Sequence, residues 1–296
     1  MRKAECLNRK VYALIKADLH IHTKASDGSE TPESVIVQAR DRGLDMIAVT
    51  DHDVTENVSA AKALGKAENI AVVSGIEFST AHKTELHVLG YFVDITNPKL
   101  TAYTKKTKNA REKRIVDYVK RLKEVGIDLD MTNLKALAGG GALSRAHLAD
   151  ALKNAGYVQT IEQAFGQYLG RDADTYIEKE KINIKDCIEL IAECGGLSVW
   201  AHPVYHMDDA FDDLLDEMLS YGLNGLEVYH PDHSDKVAKT LNKLAQKKAM
   251  LVTCGSDYHG RVKPEIAIGS ETRRDEYLDY CLKLFYKKAT EGQENE

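Results

Sequence analysis

Two histidines near the start of the chain, His20 and His22, have the residue type and the spacing of a metal site. In a β-strand, residues i and i+2 point to the same face, so both imidazoles are presented together. The residues on the other face of this run are apolar. A second pair of potential ligands, Asp257 and His259, occurs near the other end of the chain. The two pairs predict a metal-dependent enzyme.

Further histidines and carboxylates stand at the ends of other short apolar runs. The ends of parallel strands meet at one mouth of a barrel, where enzymes of that fold carry out their chemistry. The candidate metal ligands are His20, His22, Asp27, His52, Glu77, His87, His202, Asp257 and His259. His87 begins its run instead of ending it. The gap between Glu77 and Leu86 is too short for a helix, so this strand is expected to run antiparallel or to form a distorted turn.

These donors are too numerous for one ion, because a single ion takes about four to six ligands. Two or three divalent ions fit better, with Glu77 as a bridging carboxylate. Mixed imidazole and carboxylate ligands favour Mn, Fe or Zn over Ca. Three dications against three carboxylates leave a positive excess that an anionic substrate would offset. The charge balance therefore favours a phosphate ester over a neutral amide or ester.

Two more carboxylates of these segments, Asp18 and Asp51, are interpreted differently. Asp51 alternates away from His52 along the chain. Both are predicted to orient a ligand or to cap a turn, and not to bind an ion.

The apolar runs alternate with helical patterns, which predicts an α/β fold with a mainly parallel sheet. The predicted strands are Ile15–His22, Met46–Thr50, Ile70–Ile76, Leu86–Tyr91, Leu197–Ala201, Gly225–Tyr229 and Met250–Cys254. From about Thr101 to Asp186 only helices are predicted, at 105–125, 131–137, 144–155 and 161–168, with a glycine break at 139–141. We therefore expect a barrel formed by residues 12–100 and 186–296, and a helical insertion or cap at 101–185.

The composition fits a globular enzyme. The chain has 296 residues, of which 43% are hydrophobic and 29% are charged, enough to bury one large core. The net charge of −6 argues against a stable nucleic-acid partner. No apolar run approaches the roughly 20 residues of a membrane span, so no membrane partner is expected. Five cysteines without a paired spacing indicate reduced thiols and a cytoplasmic location.

Five motifs resemble those of the polymerase and histidinol phosphatase (PHP) superfamily: DLHIHT at 18–23, TDHD at 50–53, SGIE at 74–77, AHP at 201–203 and GSDYH at 255–259. Apart from the insertion, the resemblance spans residues 17–260. It implies a distorted (β/α)7 TIM-like barrel with a trinuclear metal centre. By this resemblance, His20, His22, Glu77 and Asp257 would hold one ion, Glu77, His87 and His202 a second, and Asp27, His52 and His259 the third.

The AHP motif and the helical insertion look most similar to the stand-alone phosphoesterase branch of that superfamily. This branch includes nucleoside 3′,5′-bisphosphate phosphatases and a 5′–3′ exoribonuclease, in which an Arg-x-His segment caps the site. Here the segment is Arg145-Ala146-His147, with alanine in place of the usual proline. The resemblance implies that Arg145 clamps a phosphate through its planar fork. His206 or His230 is expected to contact the substrate or to donate a proton to the leaving group.

The predicted function is that of a metal-dependent phosphoesterase acting on a small phosphorylated nucleotide, by attack of metal-activated water. The expected substrate is a nucleoside 3′,5′-bisphosphate or a short 5′-phosphorylated oligonucleotide. The predicted catalytic residues are Glu77, Asp257, Arg145 and His230, and the predicted substrate contacts are Arg145, His147, His206 and His230. A histidinol-phosphate phosphatase is one alternative, and the insertion argues against it. A non-catalytic metal-binding module is another, and the nine intact ligand positions argue against it.

The segment 105–114 is strongly basic, with six lysines and arginines against one acid. An electrostatic track for RNA would have this composition. We interpret the segment instead as a solvated helix face, which is the commoner role of such a run.

Overall fold

The structure is a computed structural model, and it describes residues 14–138 and 143–291. The predicted glycine break at 139–141 lies outside these residues, as do Cys6 and the first positions of the predicted barrel. The strands are β1 (Ala17–Ile21), β2 (Met46–Val49), β3 (Ala71–Ala81), β4 (Leu86–Tyr91), β5 (Ile182–Asn183), β6 (Leu197–Trp200), β7 (Gly225–Tyr229) and β8 (Leu251–Cys254).

Helices lie between most of these strands. The α-helices are α1 (Pro32–Asp41), α2 (Val58–Glu68), α3 (Pro98–Glu124), α4 (Met131–Ala138), α5 (Arg145–Asn154), α6 (Ile161–Ala164), α7 (Ile184–Glu193), α8 (Phe211–Ser220), α9 (Asp235–Lys247) and α10 (Glu276–Glu291). A π-helical turn, Phe165–Leu169, follows α6, and short 3-10 helices occupy Pro203–His206 and Gly260–Val262.

Seven strands form a barrel-shaped sheet in the order β1, β2, β3, β4, β6, β7, β8, and the short β5 pairs with β3. Neighbouring strands are parallel except that β4 is antiparallel to both β3 and β6. The barrel closes where the N–H of His22 donates to the carbonyl of Tyr258, at 2.9 Å. The predicted distorted (β/α)7 barrel is therefore confirmed, including the irregular direction of the strand that begins at Leu86.

The barrel core follows from the sequence pattern. Every residue of β1, β2 and β7 is buried, as expected for strands that are covered on both faces. Helix α1 begins at Pro32 after Thr31, whose side chain accepts the N–H of Ser34 at 3.3 Å. Its buried residues Val35 and Ile36 pack on the sheet. Short caps and apolar faces of this kind position the strands whose ends carry the candidate ligands.

Strand β3 extends beyond its predicted end at Ile76 and reaches Ala81. The cause is a hairpin, because the extra residues pair with β4, with Ser79 opposite His87. Glu77 therefore lies inside a strand and not at its end, and that part of the prediction was wrong. Since β4 is antiparallel, its first residues lie at the same mouth as the carboxyl ends of its neighbours. This direction explains why His87, which is near the start of a strand, joins the other ligands.

The helical insertion follows β4 and has an apolar core of its own. Tyr118, Leu122, Leu148 and Leu152 belong to this cluster, which is separate from the two clusters of the barrel. On this ground we propose that residues 101–185 form a domain inserted into the barrel of residues 12–100 and 186–296. The prediction of helices alone up to Asp186 was wrong at its end, because the short strand β5 pairs there with β3 of the barrel.

Asp53 ties the insertion to the barrel mouth. Its carboxylate accepts a hydrogen bond from the hydroxyl of Tyr103 at 2.7 Å and pairs with the ammonium of Lys179 at 2.6 Å. Both partners belong to the insertion. Because Asp53 is buried, the pair holds the two parts of the chain together next to His52.

Candidate metal centre

Glu77 lies in the middle of the candidate ligands. Five of the six histidines contact its two carboxylate oxygens. Three of them contact Oε2: His20 Nε2 at 3.2 Å, His22 Nε2 at 3.1 Å and His52 Nδ1 at 3.1 Å. The other two contact Oε1: His87 Nδ1 at 3.0 Å and His202 Nε2 at 3.1 Å. The side chain is only 1% exposed. One buried carboxylate shared by so many imidazoles has the geometry of a bridging ligand.

The other two carboxylates lie on opposite sides of His22. Asp257 Oδ1 is 3.2 Å from His22 Nε2 and 3.4 Å from His20 Nε2. Asp27 Oδ1 is 3.6 Å from His22 Nδ1 and 3.4 Å from His259 Nε2, and its Oδ2 is 3.7 Å from His52 Nε2. The structure therefore brings all nine predicted ligands into one cluster at the barrel mouth.

The donor atoms of this cluster fit divalent ions. They form three groups in which all ligand atoms lie within 4.8 Å of one another: His20, His22, Glu77 and Asp257; His22, Asp27, His52 and His259; and His52, Glu77 and His87. Buried side-chain atoms without a hydrogen-bond partner occur at His22, His52, Glu77 and His202. Unpaired buried polar atoms cost free energy. Coordination of cations would satisfy them.

The charge state of the cluster also suits a cation. Burial would raise the pKa of Asp27, Glu77 and Asp257, but the neighbouring histidines hold it well below the usual range. The three carboxylates therefore stay ionised. Burial opposes the charge on His22, yet hydrogen bonds to Asp257 and Glu77 raise its pKa to about 10. A dication that binds here would displace the proton of an imidazole such as His22, because metal ligands must be deprotonated.

A cavity of about 870 Å³ separates the ligand cluster from the insertion. We call the side that contains Asp27, His52, Glu77 and Asp257 the barrel wall, and the side that contains Ile115, Arg114, Arg145 and Phe165 the insertion wall. A bound molecule would thus face the candidate ligands on one side and an arginine-rich, partly apolar surface on the other.

Two arginines of the insertion wall, Arg114 and Arg145, are held by backbone carbonyls. Arg145 donates to Leu169 O at 3.2 Å, and its guanidinium lies 5.6 Å from the ring centre of Phe165. Arg114 donates to Ile177 O at 2.8 Å. Neither forms an ion pair with a carboxylate among residues 14–138 and 143–291. Burial and the charge of Arg145 lower the pKa of Arg114, as expected when two like charges lie close together in a partly buried position.

The PHP domain family matches residues 18–288, which is most of the chain. The chain belongs to the PHP domain family. This match confirms the resemblance that the five motifs predicted.

Similar proteins support an enzyme of this family. A phosphoribosyl 1,2-cyclic phosphate 1,2-diphosphodiesterase of Eggerthella lenta is 34% identical over 251 residues, which cover 82% of this chain and 94% of the relative. A 5′–3′ exoribonuclease of Haemophilus influenzae is 32% identical over 247 residues, covering 82% of this chain and 90% of the relative. The crystal structure of a Bifidobacterium adolescentis protein described as a metal-dependent phosphoesterase has a TM-score of 0.79 and 30% identity, covering 90% of this chain and 95% of that one.

These relatives and the ligand cluster confirm three predictions at the level of the family. The protein is an enzyme, it is a phosphoesterase, and it binds divalent metal. The alternative of a non-catalytic PHP module loses its support.

Two carboxylates of the PHP motifs, Asp51 and Asp18, hold the loops that carry the candidate ligands by hydrogen bonds. Asp51 accepts hydrogen bonds from the N–H of Thr23 at 2.7 Å and from the hydroxyl of Ser26 at 2.6 Å. Asp18 accepts the N–H of Ser256 at 2.9 Å. Their oxygens are occupied by these donors, which agrees with the orienting role that the sequence indicated.

Glu227 has a similar position, and the sequence analysis missed it. Its Oε1 lies 3.0 Å from His20 Nδ1, and its Oε2 accepts the N–H of His202 at 2.7 Å. Burial would raise the pKa of Glu227, but the charge of His20 and its hydrogen bond lower it to about 2. The available signal was a lone carboxylate within the buried apolar strand β7.

The backbone is strained at two of the candidate ligands. Asp257 has a φ of 53° and His202 a φ of 30°, both in the left-handed region that favours glycine. Such residues persist only where the surroundings fix them, and they concentrate at functional sites. The hydrogen bond from the N–H of His202 to Glu227 is one of the contacts that fix this conformation.

Two of the predicted substrate contacts, His147 and His206, do not line the cavity, and their contact with substrate stays a prediction. His147 Nδ1 accepts the N–H of Ser144 at 3.1 Å, so the ring caps the start of α5. His206 Nε2 donates to Glu85 O at 3.0 Å, and its Nδ1 lies 3.0 Å from the hydroxyl of Thr84. His206 therefore uses both ring nitrogens within the protein, and His147 uses its Nδ1.

His230 is buried beside the metal centre. Its Nδ1 accepts the N–H of Asp232 at 3.1 Å, so Nε2 carries the proton. This nitrogen is 3.8 Å from Asp257 Oδ2. The ring is 2% exposed and does not line the cavity. It is placed to orient Asp257, and its direct contact with substrate stays a prediction.

Proposed function

We propose that this PHP enzyme hydrolyses a phosphate ester of a small nucleotide that carries more than one phosphate group. A nucleoside 3′,5′-bisphosphate and a short 5′-phosphorylated oligonucleotide both meet this description. One observation carries the proposal: across a single cavity, a cluster of metal ligands faces two arginines that form no ion pair with any carboxylate of residues 14–138 and 143–291. The exoribonuclease relative, which is 32% identical, supports a nucleotide substrate.

The metal centre is proposed to hold three ions, each Mn, Fe or Zn. The ligands would be the three groups found in the structure, together with His202, whose Nε2 lies 3.1 Å from Glu77 Oε1. When bound, divalent ions supply Lewis acidity that neutralises phosphate oxygens and activates water for attack on phosphorus. Glu77 and Asp257 are proposed as catalytic residues because they hold these ions in place.

The insertion wall is proposed to bind the second phosphate. The planar guanidinium of Arg145 presents several N–H donors, of which one donates to Leu169 O, so others are free for an anion. Arg114 lies close enough to Arg145 for the two positive charges to repel each other. Four acids also line the cavity on this side, but none of them forms an ion pair with these arginines: Glu85, Asp117, Glu178 and Glu180. An anionic group between the two guanidiniums would relieve their mutual repulsion.

The same wall argues against histidinol phosphate as substrate. The amine of that molecule is a cation at neutral pH, and binding with its phosphate at the metals would direct the rest of it towards the insertion. There it would meet Arg114 and Arg145. The charges of these guanidiniums would repel the ammonium of histidinol phosphate.

A cyclic phosphodiester is the second candidate substrate. The Eggerthella lenta relative, a phosphoribosyl 1,2-cyclic phosphate diphosphodiesterase, is 34% identical over 94% of its length. Such a substrate also combines a cleavable ester with a second phosphate, so the same two walls suit it.

For the compartment, we propose the cytoplasm. The four cysteines that the structure describes are all free and buried, which fits a reducing environment. Among the helices of residues 14–138 and 143–291, none combines the length and the apolar character of a membrane span.

The decisive experiment measures hydrolysis of four substrates by the Mn-loaded enzyme. They are adenosine 3′,5′-bisphosphate, a 5′-phosphorylated trinucleotide, phosphoribosyl 1,2-cyclic phosphate and histidinol phosphate. Inorganic phosphate is measured for the phosphomonoesters, and the released nucleotide or the opened ring is detected by chromatography for the phosphodiesters. We expect kcat/KM to be largest for the bisphosphate or the trinucleotide. Adenosine 5′-monophosphate serves as the control that lacks the second phosphate.

The outcomes separate the candidates. A preference for the cyclic phosphate would replace the proposed substrate but keep the two-phosphate rule. Turnover of histidinol phosphate alone would contradict the proposal, as would equal kcat/KM for the bisphosphate and the monophosphate.

A further inference from the structure

Lys263 is a charged residue at the barrel mouth that the PHP motifs do not include. It follows the 3-10 helix Gly260–Val262, and its side chain lines the cavity together with the barrel wall. The turn is anchored on both sides. The N–H of Arg261 donates to Ser29 Oγ at 2.8 Å, and the N–H of Ile266 donates to the carbonyl of Lys263 at 3.1 Å. The position of Lys263 is therefore fixed by the fold.

The two carboxylate oxygens of Asp257 have different neighbours, and Lys263 contacts only one of them. Oδ1 faces the imidazoles of His20 and His22. Oδ2 faces away from them and lies 2.5 Å from Lys263 Nζ, with His230 Nε2 at 3.8 Å. Lys263 thus leaves one oxygen of Asp257 for an ion and holds the other.

The ammonium of Lys263 has N–H groups that are not used within the described residues. Of its three N–H groups, one meets Asp257, which is its only ion-pair partner among the residues that the structure describes. A lysine with free donors therefore stands beside Asp257 at the metal centre.

We infer that Lys263 donates a hydrogen bond to a non-bridging oxygen of the phosphate that is cleaved. The inference rests on the proposed function, because it takes a phosphate ester as the substrate at the metal centre. A phosphate held next to Asp257 would lie within reach of the same ammonium. Lys263 would then bind the phosphate that is cleaved, while Arg114 and Arg145 would bind the second phosphate of the substrate.

The competing explanation is that Lys263 merely neutralises Asp257. The test uses the full-length, Mn-loaded protein and the variants Lys263→Met and Lys263→Arg. Arg261→Met is the matched control, since Arg261 is an exposed cation two residues away that does not line the cavity. Three quantities are measured: bound manganese by elemental analysis, affinity for inorganic phosphate by calorimetry, and kcat/KM.

We expect Lys263→Met to keep its manganese and to bind phosphate roughly 10- to 100-fold more weakly, as for a hydrogen bond from a charged donor. The value of kcat/KM should fall by a similar factor. Lys263→Arg should recover most of the affinity, and Arg261→Met should bind phosphate like the wild type. Lys263→Gln repeats the test if the methionine variant fails a thermal unfolding control.

Two results would overturn the inference. Equal phosphate affinity in Lys263→Met and Arg261→Met would reduce Lys263 to a counter-ion of Asp257. Loss of manganese in Lys263→Met would assign it to assembly of the metal site instead. Failure of the proposed function looks different: the wild type would bind phosphate through Lys263 and yet cleave none of the nucleotide substrates.

Discussion

The barrel wall and the insertion wall hold their charged side chains by different contacts. On the barrel wall, the ligands are supported by other side chains, as His20 is by the buried carboxylate of Glu227 at 3.0 Å. On the insertion wall, Arg114 and Arg145 donate to backbone carbonyls and form no ion pair within the described residues. The ligands of the barrel wall thus have charged partners inside the protein, and these two arginines of the insertion wall do not within the described residues.

This difference assigns a task to each wall. A site that must place several ions within a fraction of an ångström needs its ligands locked by further hydrogen bonds. A surface that must recognise a charged substrate needs charge that the protein has not already neutralised. We therefore expect changes on the barrel wall to affect metal binding, and changes on the insertion wall to affect the choice of substrate.

Replacement of the central ligand should have the largest effect. Glu77→Gln removes the charge that five imidazoles share, so metal content should fall and kcat/KM should drop by about 1,000-fold or more. His52→Ala should act in the same direction. The exposed Glu68→Gln on α2 is the control. Full metal content and full turnover in Glu77→Gln would refute the bridging role.

Glu227→Gln tests whether the support of the ligands matters as well as the ligands. Loss of this partner of His20 should weaken metal binding by about 10- to 100-fold, measured by competition with a chelator. Excess manganese should then restore much of the activity, which it would not do for Glu77→Gln. The exposed Glu217→Gln serves as the control, and equal metal affinity in the two variants would remove Glu227 from the site.

The sequence was sufficient for most of the barrel wall. Apolar runs of strand length predicted the seven barrel strands, and the ligand types at their ends predicted the cluster around Glu77. The role of Glu227 was not predicted because its partners, His20 and His202, are distant in sequence. Only the closed barrel brings them together. Spacing along one strand carries no information about the strand beside it.

The insertion wall was less accessible to prediction for a different reason. Periodicity predicted helix α3, but it did not show which basic residues face the cavity. In the structure Arg111 and Arg114 turn inward, and Arg111 donates to His52 O at 2.6 Å. Lys106 and Lys108 turn outward to acids. The direction of each side chain depends on how the insertion docks on the barrel, which no local pattern encodes.

Arg145→Ala and Arg114→Ala should change substrate selection without emptying the metal site. For a substrate with two phosphates, kcat/KM should fall by about 10- to 100-fold, since a charge-assisted hydrogen bond is lost. For adenosine 5′-monophosphate the fall should be much smaller. Arg121→Ala is a close control, because Arg121 also donates to a carbonyl, Tyr176 O at 3.2 Å, but lies outside the cavity. Equal losses for both substrates would contradict the division of tasks between the walls.

The smallest effect is expected from the outward lysines of α3. Lys108 pairs with Glu56 at 2.6 Å and Lys106 pairs with Glu180, all of them largely exposed. Exposed pairs of this kind contribute about 0–1 kcal/mol, and they leave little free charge for RNA. Replacement of Lys105, Lys106 and Lys108 by glutamine should therefore change kcat/KM for the trinucleotide less than about twofold at any salt concentration. A larger loss with a flatter salt dependence would mean that substrate recognition extends from the insertion wall onto the outer face of this helix.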